Sequence, residues 1–246
     1  YFYRMKNFHE LGVKPKFTKR LFELGIFNPT EIQKEVIPIL LQSEIDLVGQ
    51  AQTGTGKTAA FGLPILTRLE KPADHPRALV LEPTRELASQ VETAFQDFSK
   101  FSKLRTTVLY GGVKYGRQTD ALKAGTDIIV ATPGRLLDHL SQKNTTLKHL
   151  EYLVLDEADR MLDMGFMPDV KKIIQQCPEK RQTALFSATV PPIIETLIQW
   201  AMKDPETVEI GMRRSVAETI SHAVYPVAFD QKDELVLELL GKVDFD

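Results

Sequence analysis

The eight residues Ala51-Gln52-Thr53-Gly54-Thr55-Gly56-Lys57-Thr58 lie between an apolar run that ends at Val48 and a helix-compatible run that begins at Ala59. No other segment restricts the fold so tightly, because a strand that feeds a glycine-rich turn and then a helix aims unpaired N–H groups at one point in space. The segment reads as a loop that holds the phosphates of a nucleotide. Gly54 and Gly56 free the backbone to turn its N–H groups inward, Lys57 is placed to reach the β and γ phosphates, and the Thr58 hydroxyl to ligate Mg²⁺. The general template has glycine where Ala51 stands. A Gly-Lys-Thr by itself is also what an ordinary turn before a helix looks like; the strand before and the helix after favour the phosphate loop.

Around this loop, short β-rich runs alternate with helical stretches. Strands are expected at 46–50, 78–82, 106–110, 127–131, 152–156, 183–187 and 207–210, and most are apolar throughout, the mark of strands covered on both faces. Helical periodicity occupies 58–69, 85–103, 117–124, 133–142, 168–176 and 192–202, several of these opened by proline in the first turn. The pattern predicts an α/β fold, a doubly wound and mostly parallel sheet with helices on both faces. Ligands of such sheets sit beyond the carboxyl ends of the strands, where nearly every motif described below falls. After Ile210 the segment Gly211-Met212-Arg213-Arg214-Ser215 is polar, followed by an expected strand at 223–229 and an amphipathic helix at 233–240. One strand and one helix cannot bury a core, so residues 211–246 read as a linker and the start of a second domain, after a first domain of residues 1–210.

Charge and composition narrow the partners. With 31 Lys and Arg against 33 Asp and Glu there is no global basic field, so any nucleic-acid contact must come from a local patch. The single cysteine, Cys177, excludes an internal disulfide framework and reads as an inert side chain near a helix end. No run approaches 18 apolar residues and no signal-peptide stretch opens the chain, so a cytoplasmic, monomeric protein without a membrane partner is expected. Tyr1 to Arg4 precede Met5 and read as a vector-derived remnant. Phe95, Phe98 and Phe101 recur at helical spacing and are expected in packing rather than base stacking; the five histidines have no ligand spacing.

A second chemical cluster follows about a hundred residues after the loop. Tyr152-Leu153-Val154-Leu155 delivers Asp156-Glu157-Ala158-Asp159 to a strand end. Beside a phosphate loop, Asp156 is the candidate for holding the metal, directly or through water, and Glu157 for polarising an attacking water. Alone, such a turn would more often be a solvated surface feature.

With these two clusters in place the chain, over about residues 8 to 230, resembles the DEAD-box family of ATP-dependent RNA helicases. That resemblance implies a RecA-like nucleotide-binding lobe. Gly25-Ile26-Phe27-Asn28-Pro29-Thr30-Glu31-Ile32-Gln33 is similar to the family's adenine-reading segment, whose glutamine amide offers both a donor and an acceptor to the adenine edge. Phe8 stands where the family places an isolated aromatic that supports it. The residue after the glycine is usually aromatic; here it is Ile26, which leaves Ile26 or Phe27 as the apolar contact to adenine. Ala51 to Thr58 is the family's own phosphate loop, alanine included. Pro83-Thr84-Arg85-Glu86-Leu87-Ala88, Gly111-Gly112 and Thr132-Pro133-Gly134-Arg135 match the three segments that line an RNA track in the family, and their helix N-termini, hydroxyls and guanidinium groups suit phosphate oxygens. Ser187-Ala188-Thr189 resembles the motif that couples ATP state to RNA grip, with Asp159 as the expected partner. The wording of 156–166 is most similar to a bacterial, RhlE-like subgroup.

The resemblance implies ATP and Mg²⁺ as cofactors, RNA as a sequence-independent partner, and catalysis by Glu157, Lys57 and Asp156. It also implies a second RecA-like lobe that supplies arginine fingers, so the fragment is expected to bind nucleotide and to hydrolyse it very slowly. Two alternatives use the same motifs: an ATP-gated RNA clamp without unwinding, and a motor acting on DNA.

Overall fold

The computed structural model describes residues 7–211 and 225–242, and the chain divides into two units, Tyr1–Met212 and Arg213–Asp246. In the first unit seven strands form one sheet: β1 (Leu47–Gln50), β2 (Ala78–Leu81), β3 (Thr106–Leu109), β4 (Ile128–Ala131), β5 (Tyr152–Leu155), β6 (Gln182–Ser187) and β7 (Glu206–Glu209). All pair in parallel, in the order β3-β4-β2-β5-β6-β1-β7. The helices of this unit are α1 (Pro15–Glu23), α2 (Glu31–Gln42), α3 (Lys57–Leu69), α4 (Arg85–Phe98), α5 (Tyr115–Lys123), α6 (Pro133–Ser141), α7 (Ala158–Asp163), α8 (Met167–Ile174) and α9 (Pro192–Ala201). Seven strands match the seven expected. Three helices, α1, α2 and α7, were not anticipated.

Alternation along the strands builds two separate cores. Ala78, Val80, Ile128, Val130, Val154, Ala184 and Phe186 pack with α1 to α4, while Leu79, Leu81, Ile129, Ala131, Leu153, Leu155 and Leu185 pack with α5 to α9. Successive side chains of a strand point to opposite faces, so a strand apolar throughout serves both layers. The sheet ends where this requirement ends: at the β7 edge Glu206, Thr207 and Glu209 are exposed and only Val208 is buried, and charge on an edge strand discourages further pairing.

The helix expected over 85–103 stops at Phe98. Ser99 closes α4 with its N–H on the Phe95 carbonyl, and Ser102 N–H turns back to the Ser99 carbonyl at 2.7 Å. Phe95 and Phe98 are buried as expected, but Phe101, beyond the cap, is exposed, with the Lys19 and Lys100 ammonium groups over its ring. Cys177 packs half-buried below α8, where burial pushes its thiol up to about 11 and keeps it unreactive. No described helix is long and apolar enough to cross a membrane.

In the second unit the described residues hold a single 3₁₀ turn (Phe229–Gln231) followed by α10 (Lys232–Lys242). The strand expected over 223–229 is not formed at 225–228, and positions 223 and 224 lie outside the described residues. A strand needs a pairing partner, and the described part of this unit offers none.

Candidate nucleotide and nucleic-acid site

The loop after β1 folds as its glycines dictate. Gly54 and Gly56 take left-handed φ of 80° and 94°, and Gly56 forms the N-terminal boundary of α3 with no side chain capping it. The first N–H groups of α3 therefore face a site suited to an anion. Gly56 is required on a second count: a Cβ there would stand 2.4 Å from Gln33 Nε2. Gln52, Thr53 and Gly54 are exposed, Thr55 turns its hydroxyl to the Gln52 carbonyl at 2.9 Å, Ala51 is buried, and Thr58 is half-buried one residue into the helix.

Lys57 is folded inward. Its ammonium donates to Glu157 Oε1 at 2.5 Å and to the Ala51 carbonyl at 3.3 Å, and lies 3.7 Å from Asp156 Oδ1. All three side chains are almost wholly buried. Burial, with the Glu157 charge behind it, raises the Asp156 carboxyl to about 6 against the pull of Lys57. Glu157 holds a left-handed backbone, φ 51° and ψ 48°, a strained conformation for a residue with a side chain. Its N–H donates to Asp156 Oδ1 at 2.9 Å.

One buried acid was not foreseen as part of the site. Glu82 follows β2 directly, is fully buried, and neither of its carboxylate oxygens has a hydrogen-bond partner. Burial, then the charges of Asp156 and Glu157, push its carboxyl well above the usual range, and Lys57 offsets only part of this. A single acidic residue closing the apolar run 78–81 was the available signal.

The turn after β5 is tied to the end of β6. Asp159 N–H donates to the Ser187 hydroxyl at 3.1 Å, while Thr189 donates to Asp159 Oδ2 from its N–H and its hydroxyl, each at 2.9 Å. Burial raises the Asp159 carboxyl, but the Thr189 and Ser187 bonds outweigh it and leave the group below its ordinary value.

The three segments expected to line RNA follow β2, β3 and β4, which are neighbours at one end of the sheet. Thr84 caps α4, accepting the Leu87 N–H at 3.3 Å. Arg85 is exposed, bonded to Glu86 at 2.5 Å, and its guanidinium lies beside Gly112. Gly111 and Gly112 are exposed; Thr132, Gly134 and Arg135 are half-buried; Pro83 and Pro133 are buried and so shape their turns without touching a ligand. A buried network ties these turns together. Gln118 donates to the Tyr110 carbonyl at 3.0 Å and accepts from His139 Nε2 at 3.1 Å. The imidazole then accepts from Asn144 at its other nitrogen and stacks on Tyr115 with ring centroids 4.2 Å apart, and the Arg135 guanidinium lies over the Tyr115 ring at 5.1 Å. Because Nε2 faces an acceptor, it holds the proton, so the ring is the neutral Nε2–H tautomer. Sequence spacing gave no sign of this histidine's task.

Comparison with known proteins now decides the family. A family model described as DEAD/DEAH box helicase matches residues 30–197, more than half of the chain. The chain belongs to this helicase family. It is 47% identical over 241 residues to the ATP-dependent RNA helicase DeaD of Escherichia coli K12, which covers 98% of this chain and 38% of that relative. It is 41% identical over 240 residues to the ATP-dependent RNA helicase CshA of Limosilactobacillus reuteri, covering 98% of this chain and 48% of the other. Among solved structures, a DEAD box protein from Methanococcus jannaschii superposes with a TM-score of 0.79 at 37% identity, over 95% of this chain and 63% of that one. This chain thus spans less than half the length of these two helicases.

For a helicase of this family the segment before the loop is the remaining part of the site. Thr30 and Gln33 form a capping box at α2, with Thr30 N–H donating to Gln33 Oε1 at 2.9 Å, and Gln33 Nε2 donates to the Gly56 carbonyl at 3.0 Å. The glutamine thus joins the start of α2 to the glycine-rich loop. Phe8 is buried in the core beside Leu11 and Val13, where it supports the segment and touches no ligand. Ile26 is half-buried against that core, Asn28 is exposed, and Phe27 is exposed with its ring edge-to-face on Phe22 at 5.1 Å. The segment thus presents an exposed aromatic pair, Phe22 and Phe27, beside a packed isoleucine.

Proposed function

We propose that this chain is the first lobe of an ATP-dependent RNA helicase, which binds ATP with Mg²⁺ and grips the RNA backbone. The convergence of Lys57, Asp156 and Glu157, a hundred positions apart in sequence, carries the reading. The surroundings suit a magnesium ion: among the described residues Lys57 is the one buried cation facing Glu82, Asp156 and Glu157, and the Glu82 and Gln50 side-chain oxygens have no partner. Among the described residues no three acidic, histidine or cysteine groups converge for direct ligation, so Thr58, phosphate oxygens and water would complete the shell, with Asp156 acting through water. The ion, when bound, supplies positive charge to the β and γ phosphates.

The lysine and the glutamate share one control. Lys57 holds Glu157; phosphates in the loop would compete for the ammonium and so free Glu157 to accept a proton from an attacking water. The α3 N–H groups hold the phosphates, and Gln33 aligns the base with the loop. Arg85, Arg135, Thr84 and the Gly111-Gly112 backbone face RNA phosphates, a grip that carries no sequence information. Hydrolysis at a useful rate and local strand separation need a second lobe with arginine fingers, which typically add about 10³–10⁵ in turnover.

Titration with a fluorescent ADP analogue tests the nucleotide site. Saturable binding is expected, weakened when Mg²⁺ is chelated; absence of binding would refute the proposal. RNA-stimulated ATP turnover by these 246 residues, equal to that of a two-lobed helicase, would overturn the need for a second lobe.

A further inference from the structure

Glu82 is a fully buried acid beside Lys57, Asp156 and Glu157 with no part in holding phosphate or in hydrolysis. β2 and β5 pair in register with Leu81 opposite Leu155, so the next residues, Glu82 and Asp156, leave the sheet side by side. Val80 and Val154 both face the core under α1 to α4. Two residues further along, Glu82 and Asp156 return to that same face, the one on which α3 begins with Lys57. The charges nearest to Glu82 are those of Asp156, Glu157, Lys57 and Arg160.

A purely structural role does not explain it. A buried polar group without a partner destabilises the fold, and here both carboxylate oxygens lack one at zero exposure. Lys57 is already divided between Glu157, Asp156 and the Ala51 carbonyl. The site therefore has more acceptors than its own donors satisfy, with both Glu82 oxygens among them.

We infer that the Glu82 carboxylate accepts hydrogen bonds from the water shell of the magnesium ion that arrives with nucleotide, beside Asp156. The inference rests on reading the site as one for a magnesium–nucleotide complex. Water mediation fits the absence of three converging direct ligands among the described residues. It also gives Glu82 a second consequence. β2 stands where the three strands that carry the RNA-facing turns, β3, β4 and β2, meet the three that carry the nucleotide motifs, β5, β6 and β1. Glu82 immediately precedes Pro83-Thr84-Arg85, so an ion that orders Glu82 also orders the first RNA-facing turn. Glu82 is thus a positioning residue shared by the two halves.

The test uses Glu82→Gln and Glu82→Leu in the full 246-residue chain. Binding of a fluorescent ADP analogue is measured across a Mg²⁺ titration and again with the metal chelated, and the nucleotide-free proteins are melted. Loss of an outer partner of a metal typically weakens its affinity about 10–100-fold. Both variants are expected to need about that much more Mg²⁺ for half-maximal binding, to match the parent chain in chelator, and to melt no lower than it. An unchanged Mg²⁺ midpoint in folded variants would overturn the inference while leaving the nucleotide site intact. A parent chain whose binding ignores Mg²⁺ would overturn the reading of the site, and this inference with it.

Discussion

Lys57 has more to do than bind phosphate: it is the counter-ion that makes two buried carboxylates tolerable. Removing one partner of a buried ion pair commonly costs about 3–5 kcal/mol, because a charge is left without compensation. Lys57→Ala is therefore expected to abolish nucleotide binding and to lower the melting temperature together. Adding Glu157→Gln should restore much of the stability and none of the binding; equal melting of the single variant and the parent chain would contradict this. Gly56 gives a second prediction. Its φ of 94° and the approach of Gln33 both exclude a side chain, so Gly56→Ala should destabilise by more than about 1 kcal/mol and weaken nucleotide binding by displacing Gln33. Chemical denaturation with and without ADP would measure the two effects separately.

At the scale of elements, function depends on how helix starts are fastened to strand ends. The turn before α7 and the exit of β6 are joined through Asp159, Ser187 and Thr189. Thr189→Val removes the hydroxyl bond and keeps the N–H bond, so a loss of about 1 kcal/mol or less is expected in thermal melting at this exposed position. The turns after β3 and β4 depend instead on His139. Burial, then Arg135, lowers this imidazole below its ordinary 6.5, while Asp138 acts in the opposite direction. A folded value below the unfolded one means the folded state binds fewer protons, so the network's stability is present above about pH 6.5 and is lost as pH falls through the lowered value. Between about pH 7.5 and pH 5 the melting temperature should fall less for His139→Gln than for the parent chain, since an amide can bond Gln118 and Asn144 without titrating. Parallel curves would dismiss the histidine as the source.

The whole molecule sorts two functions across one sheet. In sequence the proposed RNA-facing turns, after β2, β3 and β4, interrupt the proposed nucleotide motifs, which follow β1 and then β5 and β6. The strand order β3-β4-β2-β5-β6-β1 gathers them into adjoining halves. Arg85→Ala and Arg135→Ala should therefore weaken RNA binding without changing ADP affinity. Because these contacts are to phosphates, the loss should be similar for RNAs of different sequence, and each variant should flatten the dependence of affinity on salt. A sequence-selective loss would point to base contacts instead. With formal charge −2 over the whole chain, a local basic rim must carry this binding.

Much of this protein was legible without coordinates. The seven strands followed from apolar runs covered on both faces, and the loop at Ala51–Thr58 followed from glycines whose backbone freedom is local. α2 was legible but missed: Thr30 and Gln33 have capping-box spacing and Ile32, Val36, Ile37 and Leu40 helical spacing, interrupted by Pro38 inside the helix. α7, six residues long, is too short to show a period. Strand order was beyond the sequence, since doubly buried apolar strands such as Leu79–Leu81 and Leu153–Leu155 are chemically interchangeable and their pairing depends on contacts far apart in the chain. That order set Lys57 against Glu157 and brought Glu82 beside Asp156, while the packing of α2 on α3 placed Gln33 on Gly56. The sequence determined which groups could meet a nucleotide, because backbone freedom, charge and periodicity are local properties. The tertiary structure decided which of them share a site, because burial and pairing of distant segments fix what each charge faces.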